Sequence, residues 1–205
     1  MAGMVTHIVL TDQVYDEQFG KFDRKSFVVG TSFADIRYLG VIERDKTHYC
    51  DVSIERIRSQ EDSFIAGLMF HSLVDKIRED YIKSKYIYRE LPKSDYISQA
   101  MKVCEDIVVY PKCKHWGQYA NYFGTILENE RDYGIDATEI ERWHNIIRTA
   151  IGKQPDLVIT SDILQQLQLD SSVVDEIMSL AKQLLANHDT SYILDFYRQF
   201  PACLK

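Results

Sequence analysis

Nine glycines and four prolines are all that punctuate 205 residues, and the stretches between them repeat apolar residues three and four apart. That spacing is the period of an amphipathic helix, and so few breakers leave little room for turn-rich β architecture. The sequence predicts an all-α protein. It reads as a multi-helix single domain over 1–205, because this length suffices for one substantial core and no linker divides it. After Pro155, residues 155–205 read as a C-terminal helical extension that either covers the core or meets another subunit, so a homo-oligomer fits the pattern.

The individual helices follow from caps and breakers. Thr6 caps a helix running to about Phe19, and "RKSFVVGTSF" forms a second, short one ending near Gly30 to Asp35, before an irregular stretch from Ile36 to about Glu61. The clearest helix runs from Ser63 to about Lys83. Another starts at the Ser94/Asp95 pair and stops before Pro111. "KHWGQYANYFGTILENERDYG" reads as helical despite two glycines, and "DATEIERWHNIIRTAIG" opens on an Asp136 to Glu139 capping box and closes on Gly152. Three further segments, "TSDILQQLQL", "DSSVVDEIMSLAKQLLAN" and "DTSYILDFYRQF", complete the tail.

A net charge of −7 lacks the basic footprint of a protein whose main partner is duplex nucleic acid. Cys50, Cys104, Cys113 and Cys203 are scattered, form no C-x-x-C pair, and read as reduced thiols of a cytoplasmic protein. The N-terminus has no basic region before its short apolar run, so no secretory signal is expected. No stretch approaches the roughly 18 apolar residues of a transmembrane segment.

One helix carries an anomaly. In "GLMFHSLVDK", residues 67–76, at about 100° per residue, Phe70, Leu73, Val74, Ile77 and Tyr81 form the core stripe, while Ser72, Lys76, Glu79 and Lys83 lie opposite. His71 and Asp75 fall between, in a row that also holds Phe64, Leu68 and Ile82. A carboxylate flanked by apolar residues needs a hydrogen bond, a cation or a metal, and the four-residue spacing puts both side chains on one face. A plain His–Asp hydrogen bond inside the core would also satisfy it.

The pair does not stand alone, because His7, Asp35 in "FVVGTSFADIRYLG" and His48 in "RDKTHYC" precede it. Three imidazoles and two carboxylates make a donor set suited to zinc. In this order, His, Asp, His and then His-x-x-x-Asp on a helix, the first 80 or so residues resemble the zinc-dependent phospholipase C family, whose relatives include single-strand-specific nucleases. The resemblance implies a phospholipase C/nuclease-like helical bundle in which His7, Asp35, His48, His71 and Asp75 ligate zinc. The chain departs from that family where it begins Met-Ala-Gly instead of with a ligating tryptophan, and in having no later His-x-x-x-Glu. One or two ions are therefore expected, with other divalent metals as substitutes. Glu105 and Asp106 offer either a replacement carboxylate or a solvated or capping group.

The chemistry implied is that of a metal-dependent hydrolase acting on a phosphodiester through a zinc-activated water. Asp35 would orient or deprotonate that water, and Asp75 would bridge or bind. The substrate would be a phosphodiester-containing small molecule or a lipid. The alternative is a non-enzymatic helical interaction protein with a remnant or purely structural His/Asp cluster. Elsewhere the signals are weak: Cys113, His115 and Trp116 read as a loop-to-helix junction, and His144 as a boundary histidine beside an apolar row. His188-Asp189 lies too near the C-terminus for an HD-type phosphohydrolase. The tyrosines of "DYIKSKYIYRELPKSDY" read as a wet rim to the core.

Overall fold

Two helices that touch backbone to backbone organise the chain. Helix α5 (Ser63–Ser84) begins where the Asp62 carboxylate accepts from the amides of Phe64 and Ile65, and α2 (Arg24–Phe33) begins where Asp23 accepts from Ser26. They cross at Gly30 and Gly67. A β-carbon on Gly30 would stand 2.2 Å from the carbonyl oxygen of Phe64, and one on Gly67 would stand 2.1 Å from that of Phe27. Only glycine permits this approach, and it brings the Thr31 carbonyl within 2.9 Å of His71 Nδ1.

The computed structural model describes residues 2–204, and all regular elements among them are helical. Met1 lies outside the described residues. Helix α1 (Met4–Gln18) precedes α2, and the stretch from 36 to 61, expected to be irregular, continues a 3-10 turn (Ala34–Leu39) into the short helices α3 (Arg44–Thr47) and α4 (Ile54–Arg58). After α5 come α6 (Ile97–Val109), α7 (Trp116–Tyr122), α8 (Glu128–Arg131) and α9 (Ala137–Gly152). Helices α10 (Leu157–Leu164), α11 (Ser171–Asn187) and α12 (Ser191–Gln199) complete the chain.

Four expected boundaries move. The helix expected over residues 160–169 is α10, which starts at Leu157 because Asp156 accepts from Val158 N and Ile159 N, and it ends at Leu164. Helix α1 starts before Thr6, because its first amides are capped from a distance: Asp106 of α6 accepts from Val5 N, Thr6 N and the Thr6 hydroxyl. Helix α6 starts at Ile97 and not at the Ser94/Asp95 pair, since Ser94 Oγ accepts from Tyr96 N in a turn that precedes it. The single helix expected over residues 114–134 is two, broken around Gly124, and α8 restarts where Glu130 accepts from Leu127 N at 2.7 Å.

The core is two adjoining apolar clusters. One is centred on Phe19, Phe27, Phe70 and Phe200, whose rings contact one another in series, and the larger one runs from α1 and α2 through α6 to α9 and α11. Trp143 of α9 is fully buried and its indole donates to the Ser32 carbonyl at 3.2 Å, tying α9 to the end of α2. Helices α11 and α12 pack on α6, and Phe200 beyond α12 is buried against Phe70. The C-terminal third thus covers the core. No helix among the described residues is long and apolar enough to cross a membrane.

Candidate functional site

His7, Asp35, His48, His71 and Asp75 come from α1, the turn after α2, the end of α3 and α5, and all five are buried. They converge. His7 Nε2 lies 3.3 Å from Asp75 Oδ1, His71 Nε2 lies 3.6 Å from Asp75 Oδ2, and His48 Nε2 lies 3.9 Å from both Asp75 Oδ2 and Asp35 Oδ1. His71 Nε2 is also 3.9 Å from Asp35 Oδ1. The His7 ring stacks on that of His71 with centroids 3.8 Å apart, and the His48 ring meets His71 edge-on. Two overlapping sets of donor atoms result, His7 with His71 and Asp75, and Asp35 with His48 and His71, each set within 4.8 Å.

The backs of the imidazoles fix which nitrogen faces the centre. The Thr31 carbonyl can only accept, so His71 Nδ1 carries the hydrogen and its Nε2 presents a lone pair. For His48, the Thr47 hydroxyl donates to the Ala34 carbonyl at 2.8 Å, so its oxygen accepts from Nδ1–H at 3.1 Å and Nε2 is again bare. Outer partners of this kind orient metal-binding histidines. Neither Thr31 nor Thr47 carried a sequence signal for this role beyond the Thr-His adjacency of residue 47. The Ala2 amide, which donates to Asp75 Oδ1 at 2.7 Å, carried none at all.

Electrostatics keeps the donors in the forms a metal needs. Burial lowers the pKa of His48 to about 4 and that of His71 to about 3, so both rings are neutral at pH 7. For Asp35, burial opposes ionisation but the positive charges around it, His71 when protonated, then Lys102 and Arg37, outweigh it and hold the carboxyl below its usual range. Burial likewise opposes ionisation of Asp75 and is outweighed by His71 when that ring is protonated and by the His7 side chain.

Hydrogen bonds do not complete this cluster. His7 Nδ1 and Nε2, His48 Nε2, His71 Nε2 and Asp35 Oδ1 are buried without a hydrogen-bond partner, although such atoms are nearly always paired in folded proteins. Five orphaned atoms in one buried cluster, three of them imidazole Nε2, fit a divalent cation in one or both donor sets.

Neither carboxylate expected as a replacement donor joins them. Glu105 is held by Arg78 at 2.6 to 3.0 Å, and Asp106 caps α1, with its pKa pushed up to about 6 by burial. The remaining histidines are apart from the cluster. His144 is buried instead of lying at a boundary, because it binds Glu130 at 2.7 Å. His115 opens α7 at a loop-to-helix junction, bonded to Asp12, and His188 ends α11.

Compared with known proteins, the chain matches no protein-family model, no curated protein and no solved structure.

Proposed function

We propose that the protein is a metal-dependent hydrolase of phosphodiesters, with one or two zinc ions held by His7, Asp35, His48, His71 and Asp75. The observation that carries this reading is that the Nε2 atoms of His7, His48 and His71 and an oxygen of Asp35, buried in one cluster of two overlapping donor sets, have no hydrogen-bond partner. A core that used the pair only as a polar plug would bond these atoms to one another or to the backbone. The order of the five residues, which resembles that of zinc-dependent phospholipases C, supports the same reading.

Each residue has a distinct part. His48 and His71, fixed by Thr47 and Thr31, hold the ion from its protein side, and Asp75 reaches both donor sets through its two oxygens. Asp35 lines a cavity beside the cluster, which suits it to orient the attacking water or to take its proton. Zinc, when bound, lowers the pKa of a water to about 7 and polarises a phosphoryl oxygen.

The test is hydrolysis of bis(p-nitrophenyl) phosphate by protein purified without chelator. Activity that is lost on chelation and restored by zinc or manganese supports the reading. Protein that takes up neither metal and whose melting temperature ignores both contradicts it.

A further inference from the structure

A cavity of about 130 Å³ adjoins the cluster, reaching from Asp35 and the Ala2–Gly3 backbone to the apolar sides of α10 and α11. Most of its wall is apolar, yet α6 places Gln99, Lys102 and Asp106 along one side at successive helical turns. These three polar residues are differently placed. Asp106 is committed to the first amides of α1. The buried amide oxygen of Gln99 has no hydrogen-bond partner, and a half-turn of the same amide would present its N–H groups instead.

Lys102 is the unusual one. Among the described residues it makes no ion pair, and its ammonium is held instead by the Tyr38 hydroxyl at 3.0 Å, beyond the edge of the Tyr38 ring. The neighbouring cation, Arg37, already faces Asp35 at 3.4 Å. In a chain of net charge −7, a half-buried ammonium tethered to a tyrosine hydroxyl leaves a positive charge at the edge of the cavity. A phosphoryl oxygen would complete it, through a charge-assisted hydrogen bond.

We propose that Lys102, positioned by Tyr38 and assisted by the Gln99 amide, binds the nonbridging oxygens of a phosphate group presented to the His/Asp cluster. This rests on the phosphodiesterase reading above and adds a substrate-binding residue that the metal-ligand pattern does not contain. Lys102 thereby fixes which way the phosphorus faces relative to Asp35.

The experiment is calorimetric titration of zinc-loaded protein with inorganic phosphate, which resembles a product, and with dimethyl phosphate, which resembles a substrate. In K102M, affinity for at least one of them is expected to fall roughly tenfold or more, as loss of a hydrogen bond to a charged group implies. Zinc content should be unchanged, and K102R should recover most of the loss. Y38F, which frees the ammonium without removing it, should give a smaller loss of the same kind. Wild-type affinity for both phosphates in zinc-loaded K102M would overturn the proposal alone, and would mean that Lys102 only balances the charge of Asp35. A wild-type protein that takes up no zinc would overturn the hydrolase reading and this proposal with it.

Discussion

Asp75→Ala is expected to weaken zinc binding by roughly a hundredfold or more, since even outer partners of metal ligands are worth up to about that much. Asp75 approaches all three histidines of the cluster. Its Oδ1 approaches His7 and its Oδ2 approaches both His48 and His71, so its removal takes a ligand from the His7–His71–Asp75 set and a charged neighbour from two histidines of the other set. At a free zinc concentration 100-fold above the wild-type dissociation constant, the wild type should gain about 2.7 kcal/mol of stability. The variant, at the same concentration, should gain little. Thermal melts with and without zinc provide the readout. An equal zinc-dependent shift in both proteins would show that the ion binds elsewhere.

The second large effect is expected far from that chemistry. Arg78 and Glu105 are both buried, at 1% and 4% exposure, and joined by the Arg78 Nε and Nη2 donors to the two Glu105 oxygens. Burial works against the guanidinium charge, and Glu105 outweighs it. Glu105→Ala strands a buried cation and should cost about 4 kcal/mol of unfolding free energy. The double variant R78M/E105L, apolar on both sides, should lie within about 1 kcal/mol of the wild type. Urea unfolding of the three proteins checks both statements. A Glu105→Ala variant of wild-type stability would mean that water reaches Arg78.

The cluster and the buried pair also mark what can be read from a chain of this kind. The helical class was legible because periodicity and the scarcity of glycine and proline are local properties, and α5 and α9 were placed closely because Asp62 and Asp136 cap them from adjacent positions. The five clustered residues could be nominated from residue type and order. Their convergence could not, because it depends on Gly30 meeting Phe64 and Gly67 meeting Phe27 across the α2–α5 crossing.

What remained hidden was long-range. Asp106 caps α1 across 100 residues of sequence, so Thr6 looked like the nearest cap when it is inside the helix, bonded to that same carboxylate. Arg78 had no place on the apolar stripe of α5 and would pass for a surface residue until Glu105 is seen opposite it. Lys102 gave no signal, because its significance lies in having Tyr38 as its partner where a carboxylate would be ordinary. The break at Gly124 was missed because a glycine inside an otherwise helical pattern is often tolerated.

The central claim is that the orphaned donors surround a metal position. Anomalous diffraction at the zinc edge, from crystals grown with zinc and without chelator, tests it most directly. The account predicts a peak at about 2.0–2.2 Å from His48 Nε2, His71 Nε2 and an Asp35 oxygen, the distances of zinc to imidazole and carboxylate. Zinc-containing crystals with no peak there, and with the imidazole nitrogens bonded to ordered water or to one another, would contradict it.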